Sequence, residues 1–159
     1  DDNGHGTHVA GAIGAVANNG IGISGMNWRV KLMSMKFLSS NGLGWTSDVL
    51  ELLDKAIELK ANGVNIRLGN NSWGAGGIEQ VLQDAYQRVE DAGILSICAA
   101  GNSGQDADVY PAQPAAIPNR GIISVLAIDS VNKVASFSNY GFLSTDVSAP
   151  GVSTISTVP

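Results

Sequence analysis

His5-Gly6-Thr7-His8-Val9-Ala10-Gly11 holds both histidines of the chain, three residues apart and set among small residues. Imidazole is the side chain best suited to shuttling a proton near neutral pH. Glycine and alanine beside it let another stretch of backbone pass close. Val9, Ala10, Ile13 and Ala17 recur at helical spacing, so a helix is expected from Gly4 onward. His5 then falls in its first turn, where free N–H groups and the positive end of the helix dipole favour a neutral, proton-accepting imidazole. A metal is the alternative: His5 and His8, one turn apart, could share zinc with Asp1 or Asp2. Metallopeptidases place a glutamate between histidines four apart, and this chain has neither that pattern nor a third histidine or a cysteine pair.

Working outward, 159 residues with 44% apolar content are the size of one domain with a buried core. The net charge is −5 with no basic run, which argues against nucleic acid as a partner. No apolar run approaches the roughly 20 residues that span a bilayer, so no membrane partner is expected. There is no leader peptide, but the chain opens inside a motif, so this says nothing about export. Cys98 is the single cysteine, which excludes an intramolecular disulfide and a multi-cysteine zinc site.

Periodicity predicts strands alternating with helices. Val30 to Leu38 reads as a buried strand, and Val49, Leu50, Leu53, Ala56 and Ile57 as one face of a helix opening at Thr46 or Ser47. Val64 to Leu68 reads as a short strand and Gly74 to Gly77 as a flexible turn. Ile78, Val81, Leu82, Ala85 and Val89 mark a helix stopping at Gly93. Ile94 to Ala100 and Ile122 to Ile128 read as strands flanking a long loop with three prolines, and Val134 to Val152 as short strands and turns. This pattern argues an α/β domain with a parallel sheet covered on both faces. Ligands of such sheets sit beyond the carboxyl ends of the strands. That points to the loops after Leu38, Leu68 and Ala100, which carry Gly42, Ser72 and Asn102.

The histidine stretch with its lead-in Asp1-Asp2-Asn3-Gly4 resembles the histidine motif of the subtilisin-like serine peptidases. The resemblance continues in that family's order through Asn71-Ser72-Trp73-Gly74, Leu95 to Asn102, Ala135 to Gly141 and Ala149-Pro150-Gly151-Val152. It covers essentially the whole chain, residues 1–159, as part of one peptidase catalytic domain. It implies a three-layer αβα fold with a doubly wound, mostly parallel sheet. It implies His5 as the general base, His8 as structural, and Asn102 as the side-chain donor to the oxyanion; the alternatives are a capping histidine and a turn asparagine. Gly42-Leu43-Gly44 and Ser72-Trp73-Gly74 would hold an extended peptide as an added strand. Trp45 and Val49 would line an apolar pocket before the scissile bond, and Ala99, Ala100 and Gly101 a wall of the next one. Trp73 faces either substrate or core. The Asn18 to Ser24 loop resembles the family's calcium loop, with an oxygen from Asn19 and carbonyls from Ala17, Ile21 and Ile23, though it contains no carboxylate and a plain turn is the alternative. The family also implies a cis bond at Tyr110-Pro111, polypeptide substrates, a monomeric secreted enzyme and no organic cofactor.

The departures are as informative. The family's triad runs Asp, His, Ser. Its aspartate motif belongs before Asp1, and its Gly-Thr-Ser-Met-Ala motif, expected after Ala149-Pro150-Gly151, does not occur in these residues. The expectation is the middle of a catalytic domain, inactive and not stably folded as 159 residues alone. A non-catalytic peptide-binding relic of the same fold and a metal-dependent hydrolase using His5 and His8 are the competing readings. A binding module needs neither His5 nor Asn102, so the peptidase is favoured.

Overall fold

A computed structural model describes residues 1–159 and contains two compact units, Asp1–Val49 with Ser153–Pro159, and Leu50–Val152. The first unit opens with helix α1, His5–Gly14. Gly4 enters it at φ 88°, a left-handed conformation that glycine adopts without strain, but glycine has no side chain with which to cap. Asp1 caps instead. Its Oδ2 accepts the Thr7 N–H at 2.8 Å and the Thr7 hydroxyl at 3.0 Å, while Oδ1 accepts the Asn3 and Gly4 N–H groups. The carboxylate therefore sits on the positive end of the helix. At the other end Ala15 turns extended, so the helix closes at Gly14 and Ala17 lies beyond it. The N–H groups of Gly25, Met26 and Asn27 then donate to the carbonyls of Ala15, Ala12 and Ile13, occupying acceptors that a helix end leaves free.

Val30 to Leu38 is not the buried strand that its alternation suggests. Val30, Leu32 and Met33 are 42%, 50% and 46% exposed, and the segment is in no ladder. A strand exists only with a neighbour to take its N–H and C=O groups. The first unit contains no other strand, and apolar spacing cannot supply one.

Helix α2, Thr46–Ala61, leads into the second unit, where Ala56 is buried as the periodicity predicts. There follow β1 (Leu68–Asn71), β2 (Ala75–Gly76), α3 (Gln80–Asp91), β3 (Leu95–Ala99), β4 (Ala112–Gln113), β5 (Ile122–Ile128) and β6 (Val147–Pro150). Strands β1-β3-β5-β6 form one wholly parallel sheet, and β2 pairs antiparallel with β4. Helix α3 buries Leu82, Ala85, Tyr86 and Val89, a stripe at 3, 4 and 7 residues that packs on β3. Gly93 at φ 71° ends that excursion.

Three expectations shift here. The first strand begins at Leu68 rather than Val64. The Val64 N–H still bonds back to Leu59, and Lys60 Nζ holds the Ile66 carbonyl at 2.7 Å, so the segment leaves α2 before it can pair. Gly74 to Gly77 is not a free turn, because Ala75 and Gly76 pair with Gln113 and Ala112. The cis prolyl bond is Gln113–Pro114, not Tyr110–Pro111. Tyr110 is exposed in a turn closed by its N–H to Asp106. Gln113 is 2% exposed, and its Oε1 accepts the Glu79 N–H while its amide donates to Glu79 Oε1.

Candidate active site

In the first unit His5 is exposed at the first turn of α1. The residue that positions it is Asn3. Its Oδ1 accepts the His5 N–H at 3.3 Å, and its Nδ2 donates to the Ser40 carbonyl at 2.8 Å. The histidine turn is thereby tied to the Ser39–Leu43 loop, which closes through Ser39 N–H to Leu43 O and Gly42 N–H to Ser39 O. Gly42 needs its φ of 77°, and a Cβ on Gly44 would lie 2.8 Å from the Phe37 carbonyl. Leu43 and Trp45 stand out at 68% and 78% exposure, whereas Val49 is buried at 4%. Lys36 pairs with Asp2 at 3.2 Å and holds that carboxyl below its ordinary range.

In the second unit the site is a product of strand register. Asn71 of β1 lies opposite Cys98 of β3, so Ser72-Trp73-Gly74 leaves its strand beside Ala99-Ala100-Gly101. Both segments emerge at the carboxyl ends of neighbouring parallel strands. Beneath them Asn71, 8% exposed, accepts the Tyr86 hydroxyl at 2.8 Å and the Trp73 indole N–H at 3.2 Å on one oxygen. The Trp73 ring is thus tethered inward, and the Ser72 hydroxyl accepts from Asn70 Nδ2 at 2.8 Å. Burial pushes the Tyr86 phenol up, keeping it a donor, and pushes the Cys98 thiol up to about 12. A wholly buried neutral thiol is packing material here, not a nucleophile.

Asn102 lies three residues beyond β3 and is exposed. Ala100 N–H closes the sheet onto the Val125 carbonyl at 3.0 Å, and Gly101 at φ 114° then bends the chain outward. Asn102 makes no hydrogen bond of its own, so its amide is free to donate. The register thus gathers Ser72 to Gly74 with Ala99 to Asn102, while His5 gathers with Gly42 to Trp45; Val49 is withdrawn into the protein. Asn3 and Asn71 stand inside the motifs Asp1-Asp2-Asn3-Gly4 and Asn71-Ser72-Trp73-Gly74, but no spacing in the sequence marks either as a residue of the site.

The donor chemistry tests the two metal readings. No group of three His, Cys, Asp or Glu side chains converges anywhere, so His5 and His8 lack the third ligand that zinc requires. The Asn18 to Ser24 loop offers Asn19 Oδ1, which already accepts the Ile21 N–H at 3.0 Å, and the carbonyls of Ala17, Ile21 and Ile23. Four oxygens without a carboxylate fall short of the six to eight that calcium takes, so these residues do not by themselves fit the ion.

A family model described as Peptidase_S8, subtilase family, matches residues 1–159. The chain is 40% identical over 157 residues to the thermostable alkaline protease of Halalkalibacterium halodurans, covering 99% of this chain and 40% of that protein. It is 37% identical over 158 residues to the minor extracellular protease Epr of Bacillus subtilis, covering 99% and 23%. It is 40% identical over 159 residues to subtilisin Savinase of Lederbergia lenta, covering 100% and 55%. Among solved structures it is similar to a cold adapted subtilisin-like serine proteinase, with a TM-score of 0.76 and 34% identity over 99% of this chain and 52% of that one. The chain therefore spans from 23% to 55% of the length of these relatives.

Proposed function

We propose, from the premise that this chain belongs to the subtilase family, that it is the central part of a serine endopeptidase catalytic domain. The observation that carries this is the register that brings Ser72-Trp73-Gly74 beside Ala99 to Asn102 at the sheet's carboxyl edge, with Asn102 exposed on its glycine bend. The substrate is a polypeptide, laid in as an extended strand against Gly42 to Gly44 and Ser72 to Gly74. Small Ala99, Ala100 and Gly101 leave room for a side chain, and exposed Trp45 and Leu43 favour apolar residues.

In the reaction His5 takes the proton from a serine hydroxyl as the serine oxygen bonds to the substrate carbonyl carbon. The carbonyl oxygen becomes an oxyanion, to which the Asn102 side-chain N–H donates. His5 returns the proton to the departing amine as the C–N bond breaks, and water then releases the acyl group by the same route. Serine and its partner aspartate come from segments outside residues 1–159, so the 159 residues alone do not hydrolyse peptides. Calcium, if bound at Asn18 to Ser24, takes its carboxylate from outside them too. The intact enzyme acts as a monomer outside the cell, the location that the name of its relative, the minor extracellular protease, supports.

The test is covalent labelling. A fluorophosphonate reacted with the full-length protein should phosphonylate one serine, mapped by peptide mass spectrometry outside residues 1–159, and His5→Ala should abolish the labelling. Labelling of a serine within 1–159, or labelling indifferent to His5, would overturn the assignment. Loss of turnover to a chelator with calcium in excess would point to a metal hydrolase instead.

A further inference from the structure

Asn102 carries the proposed chemistry yet has no bond of its own, so something else must fix where its amide points. The backbone on either side of it is held from a distant segment, residues 137–140. Asn139, 3% exposed, accepts the Ser103 N–H at 2.9 Å and the Gln105 N–H at 3.3 Å on its single Oδ1. Its own N–H donates to the Gly101 carbonyl at 2.9 Å. Its amide nitrogen is pressed so close to Gly101 that a Cβ there would overlap it. One residue thus holds the backbone on both sides of Asn102: the Asn139 main-chain N–H binds residue 101 before it, and the Asn139 side-chain oxygen binds residues 103 and 105 after it. The grip is rooted in the sheet. The Ser138 hydroxyl, 2% exposed, accepts the Ala127 N–H of β5 at 2.9 Å and donates to the Asn139 carbonyl at 2.9 Å. Gly104 N–H to Phe137 O and Tyr140 N–H to Gln105 O extend the seam.

We infer that Asn139 is a positioning residue for the oxyanion donor, holding the loop so that Asn102 meets the developing charge without reorganising; this rests on the proposed role of Asn102. A preorganised donor is worth far more than one that must be ordered during reaction, and a misplacement of about 1 Å can cost about 10²-fold. A buried amide carbonyl taking two backbone N–H groups from one loop is the means of preventing it. The acceptor oxygen is the operative atom, so Asn139→Asp, which keeps it, should preserve function while Asn139→Ala should not.

The experiment is a double-mutant cycle in the full-length protein with a chromogenic peptide anilide. Asn139→Ala should lower kcat by up to about 10²-fold with KM nearly unchanged, and Asn139→Asp should recover most of it. In an Asn102→Ala background the further loss from Asn139→Ala should shrink to within about twofold, because the donor it positions is gone. Thermal unfolding of each variant is recorded, and if Asn139→Ala fails to fold, Asn139→Ser, too short to reach both amides, takes its place in the cycle. Losses that multiply in the double mutant, or an Asn139→Asp as impaired as Asn139→Ala, would overturn the inference while leaving Asn102 in its role. Full kcat in Asn102→Ala alone would instead remove the reading beneath it.

Discussion

The Thr157 hydroxyl donates to the Thr7 carbonyl at 2.7 Å, joining residues 150 apart in sequence, and beside it the Ser156 hydroxyl donates to the His8 carbonyl at 2.6 Å. The end of the chain is thus laid on the histidine helix. Gly11 permits it: a Cβ there would overlap the Thr157 hydroxyl and lie 2.6 Å from Ser156 Oγ. The small residues of the histidine stretch therefore serve the close passage that their size suggests.

Gly11→Ala should for this reason destabilise the full-length protein, against helix propensity. Alanine gains about 1 kcal/mol in a helix interior. Overpacking costs about 1–3 kcal/mol, and two hydrogen bonds worth about 0.5–1.5 kcal/mol each would be displaced. A net loss of roughly 1–5 kcal/mol follows from these terms, read by denaturant unfolding. A more stable variant would show that residues 156 and 157 do not rest on the helix.

Tyr86→Phe removes one of two donors from Asn71 Oδ1 and leaves the Trp73 indole on it. The buried oxygen is not orphaned, so the cost should stay near a single hydrogen bond, about 0.5–1.5 kcal/mol. Asn71→Leu leaves the buried Tyr86 phenol without its acceptor and removes the Trp73 bond as well, and should cost more. Equal losses in the two variants would contradict this account of the strand end.

The Asp108 carboxylate accepts the N–H groups of Phe142, Leu143 and Ser144 at 2.8–3.1 Å. The Ser144 side chain beside it, then those N–H groups, hold its pKa below the ordinary range. A lowered folded pKa means the clasp is complete above the unfolded value of about 3.9 and is lost as pH falls through the folded one. Amide NMR shifts of residues 142–144 should accordingly move only below about pH 4, and should be flat in Asp108→Asn. Movement at higher pH would reverse the sign of the shift.

Residues 1–159 expressed alone should show no turnover and weak amide protection at the sheet's outer strands. Leu68 of β1 and Val147 of β6 are 54% and 50% exposed there. Unpaired outer strands open at low cost. Cooperative protection with peptide turnover would sink this.

Much of this was legible in residue order alone. Strand β5 and helices α2 and α3 declared themselves because their periodic stripes are long and bounded by glycine or cap residues. Val30 to Leu38 misled because periodicity reports burial preference and not the presence of a partner strand. The β2–β4 ribbon was invisible because two-residue strands carry no period. Motif order picked out His5 and Asn102, but the asparagines that hold them, Asn3 and Asn139, act through bonds to backbone. Such bonds depend on which segments lie side by side, and no spacing encodes that.

The central claim is that Asn102 donates to an oxyanion and does not merely shape a loop. Kinetics of Asn102→Ala in the full-length protein, with a peptide anilide, test it most directly. Removing the corresponding donor in subtilisin, a member of this family and the source of the figure, costs roughly 10²–10³ in kcat. The same loss is predicted here, with KM nearly unchanged, because the bond forms with the tetrahedral intermediate. A variant with intact kcat and a raised KM would place Asn102 in substrate binding and contradict the account.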